Sequence, residues 1–409
     1  MKMITRFSLY GFLKNLDFSE PFLILFYLSI NLNFFQIGIL LSFLNFCVNI
    51  MEIPSGAAAD IYGRKNSMIV SLTSYIIAFI IFAFSDSYAP LFAALFFYSI
   101  GEAFRSGTHK AMIFDWLRRN DRLSEKTKVY GFTRSWSKYG SAVSVIISST
   151  IIIFSEDYRW IFIFSIIPYV IGIWNIACYP EYLNNRQAVG MGIKQVFVHT
   201  FRSVKKSFTD SHIRKLIVQS MGFEGVFEMT KDYLQPILKA QALVIAALLL
   251  LPEKESTAVV VGAVYFILHI ASAMASKRAH LFAGLFKSEK KSIAVMILAG
   301  SCLAFVSSAG MHLKFFIISI AAYIAYYILQ NLWRPILVAQ YDYFAESSEQ
   351  ATILSIEAQA KTVGIAVIAP AAGYVADHYG IESSLLMLAI IMMALWLYSI
   401  CGKKSGENL

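Results

Sequence analysis

Glu224, Glu228, Lys231 and Gln235 recur at i, i+4, i+7 and i+11, which places two carboxylates, an ammonium and an amide on one helical face. Glu102, Arg105 and His109 repeat that pattern upstream, and Glu357 with Lys361 repeats it downstream. Lys14, Asp17 and Glu20 crowd one stretch near the start, and Arg334 lies late in the chain. All of them interrupt long apolar runs. A carboxylate withdrawn from water holds its proton more readily, and one beside a cation can switch between paired and protonated states. A guanidinium grips a carboxylate or phosphate with two prongs. Asp17, Glu102, Glu224 and Glu228 are therefore candidates for reversible proton binding, and Arg105 and Arg334 for holding an anionic group. Ion pairs within the set (Lys14 with Asp17, Arg105 with Glu102, Lys231 with Glu228) would make the same charges structural instead.

No other chemistry is legible. The chain contains no His-Glu-x2-His, no Gly-x-Ser-x-Gly and no complete phosphate-binding Gly-x4-Gly-Lys-Ser/Thr. Gly402-Lys403-Lys404 lacks the upstream glycine of such a loop. Cys47, Cys178, Cys302 and Cys401 stand far apart without Cys-x2-Cys or Cys/His spacing, so neither a zinc site nor a disulfide framework is indicated. The pattern argues against an enzyme and against a nucleotide-driven pump, and it calls for no cofactor or metal.

The elements that carry these charges must be membrane spans. Of 409 residues, 57% are apolar and 15% charged, with a mean hydropathy of +0.60; soluble domains run nearer half apolar and about a quarter charged. A spanning helix takes about 20 residues. Apolar runs fall near 8–31, 34–59, 67–86, 89–117, 129–154, 159–180, 212–236, 255–277, 292–310, 314–338, 350–375 and 382–402. The polar, basic stretch 181–211 splits them six and six. The first run keeps Lys14, Asp17 and Glu20 and lacks a small-residue cleavage site, so it reads as a retained span and not as a signal peptide.

Charge orients the spans. With the N-terminus inside, 23 of the 35 lysines and arginines fall in inner segments, 4 in outer segments and 8 within spans, as the positive-inside rule requires. The net charge of +9 then reflects retained basic loops and gives no reason to invoke nucleic acid. Residues 240–251 are strongly apolar but too short to cross, and Pro236 and Pro252 bracket them. They are expected to extend or link spans 7 and 8, a thirteenth span being the alternative.

Residues 52–65 join spans 2 and 3, and their Gly56-x3-Asp60-x2-Gly63-Arg64-Lys65 spacing resembles the loop signature of the major facilitator superfamily. Gln350-Ala351-Thr352-Ile353-Leu354-Ser355 is similar to the Arg-Ala-Thr-x-Leu-Ser entry of span 11 in bacterial members, with glutamine for arginine. Gly373 to Gly380 repeats the Gly56 to Gly63 pattern without the basic pair. There are departures. The loop between spans 8 and 9 lacks the box, span 4 reads Gly101-Glu102-Ala103-Phe104-Arg105-Ser106-Gly107 in place of an arginine-x2-glutamine-glycine motif, and span 5 lacks the glycine-proline signature of drug antiporters.

The resemblance implies an all-α integral membrane fold, twelve transmembrane helices in two pseudo-symmetric six-helix bundles. The bundles would cover 1–180 and 212–409, joined by the cytoplasmic linker 181–211. It places spans 1, 4, 7 and 10 around a central cavity, and the in-span charges lie disproportionately on those four. Lys14, Tyr98, Arg105, His109, Lys231, Tyr233, Gln235, Trp333 and Arg334 become cavity candidates. Gly56, Asp60, Gly63, Arg64, Lys65 and Asp115 become candidates for a gate, with Arg64 pairing Asp115 and Asp60 capping nearby helix ends. The implied activity is secondary active transport by alternating access, proton-coupled, without a cofactor, by a monomer in the inner (plasma) membrane with both termini in the cytoplasm and lipid around it. Its partners would be a small-molecule substrate and protons, not nucleic acid. The loop resemblance favours export of a small polar or amphiphilic organic molecule. Proton symport of an organic anion or zwitterion is the alternative, followed by a transporter-like receptor without flux.

Overall fold

The computed structural model describes residues 2–155, 157–184, 211–249, 252–284, 289–344 and 350–401. Among them there is no strand. The helices are α1 (Lys2–Lys14), α2 (Leu23–Ser29), α3 (Phe34–Tyr62), α4 (Arg64–Ala83), α5 (Tyr88–Arg105), α6 (Thr108–Arg119), α7 (Lys126–Phe154), α8 (Trp160–Ala177), α9 (Ser211–Leu249), α10 (Glu253–Gly284), α11 (Glu289–His312), α12 (Phe316–Phe344), α13 (Gln350–Tyr379) and α14 (Ile381–Cys401). Each of the twelve expected spans is one helix or one broken pair. Among the described residues, eight helices are long and apolar enough to cross a membrane by themselves. Large apolar side chains such as Phe154, Trp174, Phe84 and Ile317 stand exposed on the outside, where lipid tails would replace the water that makes such patches a liability in soluble proteins. The linker 185–210 lies outside the described residues. Of the apolar stretch 240–251, residues 240–249 continue α9 past Pro236, so it extends span 7.

Two spans break, for readable reasons. Span 1 unwinds after Lys14. The Asn15 amide turns back to donate to the Gly11 carbonyl at 2.7 Å, Asp17 accepts the Ser19 backbone N–H at 3.0 Å, and Pro21 opens the next turn. The freed backbone is met from neighbouring helices: Ser144 Oγ donates to the Asp17 carbonyl at 2.8 Å, and the Phe18 N–H donates to Ser165 Oγ at 3.0 Å. Irregular backbone inside a membrane protein survives only with such partners. Span 4 breaks at Gly107, whose φ of 72° is left-handed and open to glycine at little cost.

The contacts divide the chain into two compact units, one of Met1–Ile30, Phe43–Val198 and Leu250–His269, the other of Asn31–Ser42, His199–Leu249 and Ile270–Leu409. Each unit draws mainly on one half of the sequence, yet takes in one segment from the other half. Close helix approach accounts for both. In the second unit, a Cβ on Gly38 would come within 2.8 Å of the Ala369 carbonyl carbon, and Ser42 Oγ donates to the Ala366 carbonyl at 2.6 Å; small residues let backbones meet in this way. In the first unit, Gly262 lies against Ser149.

The start of α3 is doubly capped. Asn33 Oδ1 accepts the Gln36 N–H at 2.8 Å while Gln36 Oε1 accepts the Asn33 N–H at 3.0 Å, a reciprocal capping box. Asp377 then accepts the N–H groups of Phe34 and Phe35 at 2.8 and 2.7 Å. The repeat of the glycine-aspartate box in span 11 therefore works as a helix cap. Asp377→Ala is expected to cost about 1–2 kcal/mol, as for a lost cap, seen as a lower melting temperature in detergent; an unchanged melting temperature would remove the cap from the account.

Candidate functional site

Two charged clusters lie inside the helices, one in each unit. In the first, α5 presents Glu102 and Arg105 one turn apart. Arg105 Nη2 donates to Glu102 Oε2 at 2.5 Å, Lys14 Nζ lies 3.7 Å from Glu102 Oε1, and the Tyr75 hydroxyl donates to that same oxygen. Lys14 thus pairs with Glu102 and not with Asp17. The unwinding after Lys14 is the reason, because it turns Asp17 onto Ser19, whose hydroxyl donates at 2.5 Å, and onto the Tyr98 hydroxyl at 3.2 Å. His109 leans on the Tyr10 ring, centroids 4.1 Å apart, with Nε2 3.4 Å from the Tyr179 hydroxyl. Beside this cluster opens a cavity of about 180 Å³ whose walls include Tyr10, Lys14, Arg105, His109, Lys110 and Arg134.

The second cluster joins α9 to α12 and α13. Glu224 is 1% exposed. Its Oε2 receives Lys361 Nζ at 3.2 Å and the Gln330 amide at 3.3 Å, while Oε1 has no hydrogen-bond partner among the described residues. Lys361 also lies 3.9 Å from Glu228 Oε1, and Lys231 donates to Glu228 Oε2 at 2.6 Å. Arg334, expected to hold an anionic substrate, is engaged inside the protein: its Nη1 meets both oxygens of the fully buried Glu357 at 2.7 and 2.8 Å. The Ser220 hydroxyl donates to the same carboxylate. Three of the expected cavity residues are core. Trp333 stacks on Phe223 at 4.1 Å, the Tyr233 hydroxyl takes the Ser384 hydroxyl at 3.1 Å, and Gln235 is buried.

The residues that sequence reasoning left out of the site are Tyr10, Tyr75, Lys110, Arg134, Gln330, Glu357 and Lys361. The i, i+4 spacing of Glu357 and Lys361 was a signal for two of them. Arg134 gave less, because span 5 is not among the four that the resemblance places at the cavity.

The loop box has its own geometry. Gly63 takes a φ of 96°, with Asn184 close to where a side chain would stand. Lys65 Nζ donates to the Tyr179 carbonyl and pairs with Glu181, both at 3.1 Å. The turn is therefore docked on the 179–184 stretch that follows α8. Gly56 meets nothing within 4 Å of an added Cβ, and the side chain of Asp60 lies outside the described residues. The expected Arg64–Asp115 pair is absent, since Asp115 takes Arg119 on its own helix at 3.2 Å. Four residues of separation put that partner permanently within reach. Gly63→Ala should cost about 1–2 kcal/mol for the left-handed backbone alone, measured as thermal stability; a neutral result would contradict the strained turn.

Stacked apolar helices, charges buried between them and docked basic loops define a multi-pass membrane carrier. The profile of the Major Facilitator Superfamily matches residues 8–358, and the chain belongs to that family. A stretch of 100 residues is 32% identical to the "Uncharacterized MFS-type transporter YxaM" of Bacillus subtilis (strain 168), spanning 24% of this chain and 24% of that relative. Among solved structures, the nucleoside transporter NupG superposes with a TM-score of 0.78 at 13% identity, over 99% of this chain and 100% of its own. A POT family transporter in complex with 5-aminolevulinic acid gives 0.75 at 11% identity, over 98% and 96%. The D-xylose-proton symporter gives 0.72 at 13%, over 97% and 96%. At such identities the likeness concerns the fold. As a member of that family the chain is a secondary transporter and not an enzyme.

Proposed function

We propose that the chain couples the passage of a small polar organic molecule to protons, with Glu224 as the proton-binding group. The observation that carries this reading is the unequal treatment of its two buried oxygens, one held by Lys361 and Gln330, the other without a partner among the described residues. An ion pair withdrawn from water is costly to break unless the charge left behind is compensated. Lys361 lies between Glu224 and Glu228, so a modest shift toward Glu228 leaves Glu224 to take up a proton. Protonation and lysine exchange are then one event, able to bias two conformations.

Charge distribution supports assigning the basic loops, and with them both termini, to the cytoplasmic side of the inner membrane, and a single chain is taken as the working unit of this reading. The loop box supports a gating role through Lys65 and Gly63, but it pairs with none of the clustered carboxylates and so says nothing of direction. The test is proteoliposomes loaded with a pH dye and challenged with a panel of anionic, zwitterionic, sugar and nucleoside solutes. A solute that moves and changes the lumen pH supports the reading, acidification on entry meaning symport and alkalinisation meaning exchange. Solute flux with no proton movement would overturn it.

A further inference from the structure

We propose that the cavity between α1, α6 and α7 seats an ionised acidic head group, a carboxylate or a phosphate, on the transported molecule. This rests on reading the chain as a small-molecule carrier and names the class of its cargo.

Charge is the first support. Lys14, Arg105, Lys110 and Arg134 all line the cavity. Among the described residues, the carboxylate that pairs with any of them is Glu102, shared by Lys14 and Arg105. Lys110 sits over the Phe114 and Tyr130 rings at 5.7 and 5.5 Å and pairs with no acid among the described residues. Four cations line one cavity against one carboxylate, Lys14 and Arg105 half-buried and Lys110 and Arg134 exposed at its mouth, and that surplus of positive charge calls for a counter-charge.

The backbone gives the second. The break at Gly107 makes α6 begin at the cavity wall, and its N-terminus has no side-chain cap. A helix start carries unmet N–H groups and a partial positive charge, a ready seat for an anion. Broken spans in carriers use their half-helix N-termini in this way.

Unmatched donors are the third. Tyr10 is 4% exposed and lines the cavity, yet its hydroxyl has no hydrogen-bond partner among the described residues. Arg105 Nε is buried and likewise unmatched. Buried donors in native proteins nearly always have an acceptor, and a bound oxyanion supplies several. The volume of about 180 Å³ falls below the roughly 300–1,000 Å³ of sites for drug-sized ligands. The cavity therefore takes a head group and leaves the rest of the molecule outside.

The experiment titrates the purified full chain, in lipid-depleted detergent micelles, with succinate, inorganic phosphate, choline and phosphatidylglycerol, reading calorimetric binding and thermal stabilisation. Saturable binding of succinate or phosphate, with none of choline, is expected. Arg134→Gln and Lys110→Gln alter exposed side chains and should fold; each should weaken that binding about tenfold, as for one charge-assisted contact. Absence of anion binding, equal binding of choline, or unchanged affinity in both variants would overturn the proposal. Binding of phosphatidylglycerol alone, lost in the variants, would make this a lipid head-group site and would also overturn it. A chain that binds the anion yet moves no protons with it keeps this site and loses the coupling reading. One that moves protons with an uncharged solute and ignores both anions does the reverse.

Discussion

Glu224→Gln should leave a folded protein in which solute-driven proton movement falls by about 10²-fold, the lower end for losing a positioned proton-transfer group. Glutamine has the size of glutamate and can still accept a hydrogen bond from Lys361, so the helix contacts survive. What it lacks is a site that titrates. Solute counterflow, which needs no net proton movement, should continue. The two assays on one preparation separate a lost coupling step from a lost fold. Wild-type proton movement by this variant would remove Glu224, whatever its burial. The same measurement on Glu228→Gln should show a smaller defect, because Glu228 keeps Lys231 as a close partner at 2.6 Å and gives Lys361 only a more distant second position.

Arg334→Met should destabilise the protein by about 3 kcal/mol, the lower end of the cost of breaking a buried ion pair. The lower end applies because the Arg334 side chain is 41% exposed while Glu357 is fully buried. The cost comes mainly from Glu357, which would stay buried with the Ser220 hydroxyl as its remaining partner among the described residues. Arg334→Met with Glu357→Leu together should recover most of the loss, since replacing both partners of a buried pair by apolar groups is often neutral. Thermal unfolding in detergent reads both. If the single variant melts like the wild type, the pair contributes nothing and Arg334 returns as a candidate for substrate.

An anionic cargo would also set direction. The membrane potential, negative inside, expels each negative charge with about 2.3 kcal/mol per 100 mV. Export of an anion needs no further drive. Bringing it in needs a compensating proton, so if the proposed anion site and the proposed coupling at Glu224 both hold, they suit uptake by symport, the alternative that the loop resemblance had ranked second.

The spans were largely legible in the sequence, because a bilayer imposes a length and a polarity that composition alone must meet. The clustering of charge on spans 1, 4, 7 and 10 was legible for the same reason: a charge among twenty apolar residues has to be there for a purpose. Two of the three ion pairs drawn from spacing, Arg105 with Glu102 and Lys231 with Glu228, form as drawn. Both are i, i+3 pairs, which helix geometry settles locally.

Tertiary structure decided what spacing along one helix cannot contain. Lys14 reaches Glu102 because span 1 unwinds, and Arg334 is spent on Glu357 of another helix. Asp115 turns to its own neighbour Arg119, leaving Arg64 without it. Lys361 comes to Glu224 from α13, and Lys110 and Arg134 meet around one cavity from α6 and α7. The sequence alone determined that this is a charged-core membrane carrier, since those constraints act residue by residue. Which charge answers which was decided by helices packing side by side, because that choice depends on distances between residues far apart in the chain.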